Sequence, residues 1–160
     1  MTVRVGQGFD VHAFSEAPDR VLGLGGVVFD GEPGLVGHSD ADVVAHACAD
    51  ALLGAAGLGD IGQHFPDTDE RWRDADSIEL LRAVRDKLRA AGYTPGNIDA
   101  TVACETPKLS PFRDEMRTRL ADAAELPPDS VNVKFTTGER MGFVGRGEGI
   151  AALAIATVAG

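Results

Sequence analysis

The chain has 160 residues, of which 44 % are hydrophobic and 25 % charged, as expected for one globular domain over residues 1–160. A formal net charge of −10 argues against nucleic acid as a partner, since binding to a phosphate backbone needs a basic face. No stretch is long and apolar enough to predict a membrane span, and two cysteines outside any CxxC pattern favour a reducing compartment, so we expect a cytoplasmic protein.

The first third of the chain predicts strands followed by a helix. The alternating segment "TVRVGQGFDVHAF" predicts a strand, and "RVLGLGGVVFDGEPG", which glycines interrupt, predicts one or two short strands. A helix is expected over about residues 41–56. Ser39 and Asp42 form an S-x-x-D signature in which the serine caps this helix, so Asp42 already has a structural role.

The middle of the chain predicts a long loop and a second helix. Residues 58–76 contain glycine, proline and clustered aspartates without periodicity, which predicts a long acidic loop. Loops of this length in compact domains are often functional. Asp76 and Glu79 form a capping box that opens a helix, and Gly92 ends it.

The last third predicts two strands, a third helix and an ambiguous apolar run. Residues 97–108 and 130–137 predict strands, and Ser110 as N-cap before Pro111 predicts a helix start. The run 149–159 is apolar on both faces, although its alanines also permit a helix. As a strand it would need cover on both faces, which suggests an α/β domain in an oligomer.

Three side chains in this pattern suit a metal ion. Asp10 and His12 lie two residues apart on a predicted strand, so they project from the same face. His46 lies one helical turn from Asp42 and from Asp50, and an acid there could orient the second nitrogen of its ring. Asp10, His12 and His46 would then form a catalytic zinc site with one open position, the alternative being ordinary surface or core histidines.

Two residues just before the predicted first helix suit an anion. His38 and Ser39 lie where free backbone amides and the helix dipole favour negative charge. We therefore expect them to hold a phosphate beside the metal, with Ser39 acting only as a helix cap in the alternative interpretation. A bound phosphate oxygen would complete the open zinc position and give this acidic chain its local cationic site.

A second candidate phosphate site follows a late strand. Thr136 and Thr137 provide two hydroxyls beside Glu139, a carboxylate suited to a Mg²⁺ ion that carries a diphosphate. The glycine-rich sequence that follows would let the backbone approach a ligand closely, although it is equally typical of a hairpin connection. Neither a Walker loop nor a GxGxxG motif is present.

Five segments, three of which contain these candidate residues, stand in order between about residues 4 and 156. They are "GFDVH", "HSDADVVAHACADALLGAAGLGDIG", "FPDTD", "ETPKLSP" and "TTGERMGFVGRGEGIA". Together they resemble the 2-C-methyl-D-erythritol 2,4-cyclodiphosphate synthase family. That family cyclises a cytidine-diphosphate substrate in the non-mevalonate isoprenoid pathway and releases CMP.

The resemblance implies roles for the matching positions. Zinc is expected on Asp10, His12 and His46, with the substrate's β-phosphate as fourth ligand, and Mg²⁺ or Mn²⁺ is expected on Glu139. Contacts with the substrate are expected from Asp10 and His12, from the phosphate-binding His38 and Ser39, and from positions beside a trimer axis, Phe143 and Arg146. A loop over the methylerythritol phosphate would contribute Asp60, Ile61, Gly62, Phe65, Pro66, Asp67, Thr68 and Asp69. A cytidine pocket would contribute Cys104, Glu105, Thr106, Pro107, Lys108, Leu109 and Ser110, and a diphosphate site would contribute Thr136, Thr137, Gly138 and Glu139.

The resemblance also implies an assembly. Its members are homotrimers of α/β domains, each with helices packed on one face of a mixed β-sheet, and the sheets surround the threefold axis. Each active site lies between neighbouring subunits, and an apolar cavity on the axis can bind an isoprenoid diphosphate. The chain departs from the family pattern at Gln7, Phe135 and Gly138, of which Phe135 adjoins the nucleotide-contacting threonines and could reshape the base pocket.

The expected reaction is attack by the substrate's own 2-phosphate on its β-phosphorus, with CMP as the leaving group. Such a phosphorus–oxygen lyase needs no protein nucleophile and relies on positioning and charge stabilisation, for which His38 and Thr137 are the expected catalytic residues. Two alternatives stay open. A zinc-dependent phosphohydrolase would release free phosphate or a linear monophosphate, and an isoprenoid-diphosphate sensor would release no CMP.

Overall fold

The core of the protein is a mixed β-sheet, described by a computed structural model of all 160 residues. The six strands are β1 (Val3–Ala13), β2 (Val21–Leu24), β3 (Val27–Pro33), β4 (Thr94–Ala103), β5 (Val131–Thr136) and β6 (Gly149–Ala159). Four of them form a sheet in the order β1-β6-β4-β5, and β2 pairs with β3 as a separate hairpin. β6 runs antiparallel to both of its neighbours, whereas β4 and β5 are parallel.

The helices that cover the sheet pack on one of its faces. The five helices are α1 (Val43–Ala56), α2 (Ile61–His64), α3 (Ser77–Ala90), α4 (Arg113–Ala124) and α5 (Gly142–Gly145). α1 packs against β1, β6 and β4, while α3 and α4 pack against β4 and β5 respectively. A mixed sheet with helices on one face confirms the predicted fold class. None of the helices is both long and apolar enough to cross a membrane.

Two glycines in β1 bring α1 unusually close to the sheet. A Cβ atom on Gly6 would lie 2.1 Å from the carbonyl oxygen of Ala51 and 2.2 Å from the nitrogen of Ala55. On Gly8 it would lie 1.9 Å from the carbonyl oxygen of Ala47. Backbone therefore packs directly on backbone, and only glycine fits at these two positions. This contact fixes the distance between the strand of Asp10 and His12 and the helix of His46.

The opposite face of the sheet is open and apolar. β6 is a strand, so the helical alternative for its apolar run is wrong. In one chain only one of its faces is covered, because Leu153 and Ile155 are exposed on the other face. The neighbouring strand β1 exposes a row of apolar side chains on that face: Val3, Val5, Phe9 and Val11. This open face is where the predicted partner subunits would pack, and the trimer remains a prediction.

Helix starts are where the sequence-based predictions were least accurate. α1 begins at Val43 with Asp42 as its N-cap, so the prediction that Ser39 caps this helix is wrong. The Asp42 carboxylate accepts hydrogen bonds from the amides of Val44 and Ala45, because its side chain is one residue from the first turn. Ser39 instead closes a tight turn by accepting from the amide of Ala41.

Two further starts differ from the expected pattern. Asp76 caps α3 as predicted, but Glu79 pairs with Arg82 and does not complete a capping box. Ser110 makes no capping hydrogen bond and opens a 3₁₀ turn that leads into α4. The predicted loop over 58–76 is also partly ordered, since it contains α2 and a 3₁₀ turn over Glu70–Trp72.

Candidate active site

The side chains of Asp10, His12 and His46 converge at the edge of the sheet. Asp10 Oδ2 lies 3.0 Å from His12 Nε2 and 3.0 Å from His46 Nδ1. One ligand atom from each residue lies within 4.8 Å of the other two, which is the spacing of groups that share a metal ion. The three residues predicted from sequence as zinc ligands are therefore brought together. Asp10 and His12 lie two residues apart on β1, and the close packing of α1 on this strand brings His46 beside them.

The orientation of His12 leaves one nitrogen for a ligand. Its Nδ1–H donates to the carbonyl oxygen of Val36 at 2.6 Å, so Nε2 carries the ring's lone pair. Nε2 is buried and has no hydrogen-bond partner, since its contact with Asp10 has the distance but not the angle of a hydrogen bond. A buried lone pair that faces a carboxylate is unfavourable unless a cation lies between them, so these residues fit a divalent metal ion.

The charges in this cluster also suit a cation. Burial raises the pKa of Asp10, but its close contacts and charge interactions with His12 and His46 outweigh that effect and lower the pKa to about 2. Burial lowers the pKa of His12, but its contact with Asp10 outweighs that effect and raises the pKa above its usual value. The cluster therefore keeps a negative charge on Asp10 between two histidine rings.

The second nitrogen of His46 is held by serines and not by an acid. His46 Nε2 lies 2.7 Å from Ser77 Oγ and 3.2 Å from Ser39 Oγ. The expectation that an acid one turn away orients this ring is wrong. Neither neighbouring acid reaches the second nitrogen. The Asp42 carboxylate accepts hydrogen bonds from backbone amides, and Asp50 accepts one from the amide of Ile61 at 2.8 Å.

The expected anion site at the start of α1 also needs correction. Its first amides are already bound by the Asp42 carboxylate, so they cannot receive a phosphate. His38 and Ser39 nevertheless lie beside the metal cluster and line the same cleft. His38 Nε2 lies 2.9 Å from the carbonyl oxygen of Asp69, which fixes the ring against the 58–76 segment. This contact leaves Nδ1 as the His38 nitrogen available to a ligand.

A first cleft of about 400 Å³ opens above the metal cluster. Ten of the predicted site residues line it: Asp10, His12, His38, Ser39, His46, Ile61, Gly62, Phe65, Pro66 and Asp67. α2 forms part of the wall of this cleft and is held in place, because the Asp50 carboxylate accepts a hydrogen bond from the amide of Ile61 and Asp60 caps the helix. The predicted loop over the substrate is thus a formed wall of the cleft.

A second cleft of about 560 Å³ lies where β4 and β5 end. Nine predicted residues line it: Cys104, Glu105, Pro107, Lys108, Leu109, Ser110, Thr136, Thr137 and Glu139. Glu139 is exposed and its backbone is left-handed, with a φ of 51°. Phe135 forms part of the same wall, and the guanidinium of Arg113 lies over its ring.

The remaining predicted contacts lie outside both clefts. They are Asp60, Thr68, Asp69, Thr106, Gly138, Phe143 and Arg146. Asp69 has a bidentate contact with Arg71, and Arg146 pairs with Glu148, so both charges are neutralised locally. Gly138 instead supports the second cleft, because its amide donates to Glu105 Oε2 at 2.9 Å.

Sequence reasoning missed several residues of the first cleft. Trp72 and Leu80 line it, and Trp72 packs edge-on against Phe65. Gly37 lines it as well, where a Cβ would lie 3.2 Å from the His12 ring. The aromatic residue in an otherwise acidic loop was the available signal for Trp72. Nothing in the local sequence pattern indicated Ser77, whose hydroxyl touches His46.

Comparison with known proteins gives a consistent result over almost the whole chain. Residues 3–159 match the model of the YgbB family. A 2-C-methyl-D-erythritol 2,4-cyclodiphosphate synthase from Salinibacter ruber is 58 % identical over 156 residues, which is 98 % of both chains. A bifunctional enzyme IspD/IspF from an Anaeromyxobacter species is 59 % identical over 154 residues, and the match spans 96 % of this chain but only 39 % of that longer protein.

The solved structures agree with the sequence matches. An IspF structure from Plasmodium falciparum in complex with CDP superposes with a TM-score of 0.84 at 30 % identity. The superposition covers 98 % of this chain and 95 % of the Plasmodium chain. The fold and its sequence relatives therefore point to the same group of proteins.

Proposed function

Because the chain belongs to the YgbB family of 2-C-methyl-D-erythritol 2,4-cyclodiphosphate synthases, we propose that its two clefts together bind and cyclise the cytidine-diphosphate substrate of that reaction. The observation that carries this proposal is the convergence of Asp10, His12 and His46, with the unpartnered Nε2 of His12 among the donor atoms. The product would be 2-C-methyl-D-erythritol 2,4-cyclodiphosphate, and CMP would leave.

The donor sets suit two different cations. Asp10, His12 and His46 offer one oxygen and two nitrogens, a set that zinc accepts with one position left for a phosphate oxygen. Glu139 offers one exposed carboxylate, which suits Mg²⁺ or Mn²⁺ held jointly with substrate phosphates. Bound there, such cations would supply Lewis-acid stabilisation of the charge on the diphosphate and a template for its orientation.

The first cleft would bind the methylerythritol phosphate end of the substrate. The hydroxyl of Ser39 and Nδ1 of His38 lie beside the metal cluster, where phosphate oxygens would sit. The wall formed by Ile61, Gly62 and Phe65 would cover the carbon chain and exclude water. Exclusion of water favours cyclisation, because water would otherwise compete with the 2-phosphate for the β-phosphorus.

The second cleft would bind the nucleotide end. Thr136 and Thr137 offer hydroxyls beside Glu139, while Lys108 is an exposed cation on the same wall. The CDP complex of the Plasmodium structure supports a cytidine-diphosphate ligand for a chain of this fold. We assign the remaining residues of this cleft to the cytidine pocket and keep Thr137 as a hydrogen-bond donor to the diphosphate.

One substrate must reach both clefts, and we propose that neighbouring copies of the chain bring them together. The exposed apolar row on β1 and β6 gives a surface that a homotrimer would bury around its axis. In that assembly the first cleft of one subunit would face the second cleft of the next. Phe143 and Arg146 are exposed and lie outside both clefts. In the trimer they would border an axial cavity for an isoprenoid diphosphate.

The chemical step needs no nucleophile from the protein. An oxygen of the substrate's 2-phosphate would form a bond to the β-phosphorus while the bond from that phosphorus to the bridging oxygen breaks. The electron pair of the broken bond leaves on CMP, which makes the enzyme a phosphorus–oxygen lyase. His38, Ser39 and Thr137 would hold the phosphate oxygens in line and stabilise the charge that develops on them.

Phosphorus NMR of the reaction with the cytidine-diphosphate substrate tests this function directly. We expect signals of a cyclic diphosphate and of CMP to appear in equal amounts when both cations are present. His46→Ala is expected to abolish both signals, whereas His64→Ala, a histidine outside the cluster, is the matched control. Free phosphate or a linear monophosphate would indicate a phosphohydrolase, and no CMP would indicate a binding protein.

A further inference from the structure

We propose that Asp40 and Ser77 are positioning residues that hold His46 in one tautomer, with the lone pair on Nδ1, the ring nitrogen that faces the proposed metal. The inference rests on the metal site of the proposed function and adds two residues that neither bind the metal nor line the clefts. It follows from the direction in which one hydroxyl proton must point.

Asp40 sets that direction because its carboxylate can only accept hydrogen bonds. Its Oδ2 accepts from the amide of Ser77 at 3.0 Å, and its Oδ1 accepts from the amide of Asp42 at 3.1 Å. Oδ1 also makes a short hydrogen bond with Ser77 Oγ. Both carboxylate oxygens already accept from backbone amides and an ionised carboxylate has no proton to give, so Ser77 must donate its single hydroxyl proton to Asp40.

Ser77 is then left with lone pairs only. His46 Nε2 lies 2.7 Å from Ser77 Oγ, so the nitrogen has to carry the proton and donate it. The proton on Nε2 leaves the lone pair of the imidazole at Nδ1, which faces Asp10. The chain Asp40–Ser77–His46 thus fixes the tautomer that can bind a metal ion, in the way that outer hydrogen bonds do in other metal sites.

The same arrangement has a consequence for Ser39. Its Oγ lies 3.2 Å from His46 Nε2 and accepts from the amide of Ala41 at 3.2 Å. Because Nε2 is a donor, the hydroxyl proton of Ser39 is not required by His46. That proton is free to point into the first cleft, where the proposed phosphate would accept it.

Burial makes this network hard to replace with water. Ser77 is 1 % exposed, His46 is 7 % exposed and Ser39 is 9 % exposed. Ser77 is also the first residue of α3, whereas Asp40 precedes α1. Because Ser77 is the first residue of α3, its alternative role is purely structural, as a small residue at the start of a helix.

A pair of variants at the start of α3 separates these two roles. Ser77→Ala removes the hydroxyl and leaves the backbone hydrogen bond to Asp40 in place. Asp76→Ala removes the N-cap of the same helix, which touches Ile78 and not His46. A positioning role predicts that Ser77→Ala weakens zinc binding by about 10–100-fold, whereas Asp76→Ala lowers the Tm and leaves zinc affinity unchanged.

Asp40→Asn provides an independent test with little change in shape. The amide has one acceptor oxygen for the three donors that Asp40 binds, so its NH₂ group must face either the hydroxyl or the backbone amide of Ser77. Ser77 then either donates its proton to His46 Nε2 or loses its fixed position beside the ring, so zinc affinity is expected to fall by at least about tenfold. This variant keeps the proposal testable if Ser77→Ala does not fold.

Competition with a chromophoric chelator measures the zinc affinity of each folded variant, and the visible spectrum of the Co²⁺ form reports ligand geometry. We expect weaker binding and an altered Co²⁺ spectrum for Ser77→Ala and Asp40→Asn, but not for Asp76→Ala. Wild-type affinity and spectrum in Ser77→Ala would overturn the positioning role alone. A wild-type chain that binds neither Zn²⁺ nor Co²⁺ would overturn the proposed function and this inference with it.

Discussion

The two clefts of this chain are built in opposite ways. In the first cleft the metal-site side chains are part of the fold, since Asp10 and His12 lie on β1, and His46 is buried in α1. In the second cleft Lys108, Thr136 and Glu139 are exposed. The first cleft is therefore organised by core packing before any ligand binds. The second would be completed by its ligand and, we propose, by a neighbouring subunit.

This difference implies that damage to the buried residues of the first cleft acts on both structure and activity, whereas damage to the exposed residues of the second acts on activity alone. A buried group shares its contacts with the core, so its removal leaves other buried groups without partners. An exposed group loses only its interaction with the ligand. Variants of each cleft therefore separate loss of stability from loss of activity.

The largest effect is expected from His46→Ala in the first cleft. Loss of one of three ligands should abolish zinc binding and reduce turnover by at least about 1000-fold, since the cation and its positioning of the phosphate are lost together. Metal analysis of the purified protein and the phosphorus NMR assay measure the two quantities. His64→Ala should retain both, and a His46→Ala variant that keeps its zinc would contradict the ligand assignment.

Gly8→Ala should disrupt the first cleft by disturbing the packing of α1 on β1. The added Cβ would lie 1.9 Å from the Ala47 carbonyl oxygen, so α1 must move away from β1. We expect the free energy of unfolding to fall by about 3 kcal/mol and zinc affinity to fall with it, because His46 moves with the helix. Urea unfolding measures the first effect. Gly23→Ala is the control, as no atom lies within 4 Å of its added Cβ, and equal losses in both variants would argue against the close packing.

Glu139→Gln tests the second cleft without touching the core. The side chain is exposed, so the Tm should equal that of the wild type. Turnover should fall by about 10–100-fold at low Mg²⁺ and recover partly as Mg²⁺ is raised, because the neutral amide binds the cation more weakly. A loss of zinc in this variant would show that the two clefts are not independent in one chain.

The smallest effect concerns the wall between α1 and α2. Burial raises the pKa of Asp50 above its usual value, although the amide of Ile61 opposes this. A raised native pKa disfavours the ionised form, so the contribution of Asp50 to stability is greatest below its unfolded-state pKa of about 3.9 and declines as the pH rises through its native pKa. Asp50→Asn should remove this decline. Urea unfolding between pH 3 and 6 would show it, and identical pH profiles would contradict the assignment.

Much of this architecture could be predicted from local sequence, and the failures have a common cause. Alternation placed Asp10 and His12 on one face of a strand, and the same logic described β6 once its helical alternative was excluded. Helix starts were harder, because Ser39 and Asp42 are both good caps and the sequence alone cannot decide which side chain reaches the free amides.

The network around His46 could not be predicted, because it joins residues far apart in the chain. Ser77 follows Asp40 by thirty-seven residues, and their contact exists only because α3 begins beside α1. Gly6 and Gly8 of β1 serve the close approach of a helix, which the alternation of the strand did not indicate. Such contacts depend on tertiary packing, which no local pattern records.

Mixing a first-cleft variant with a second-cleft variant at low Mg²⁺ tests most directly whether the two clefts form one active site between copies of the chain. His46→Ala lacks a working first cleft and Glu139→Gln has a second cleft impaired at low Mg²⁺, so co-expressed and co-purified subunits can combine an intact example of each. If sites are shared between subunits, random assembly should leave about a quarter of them intact, and cyclic diphosphate formation should recover accordingly. If each chain carries its own complete site, the mixture will show no more activity than the two variants measured separately.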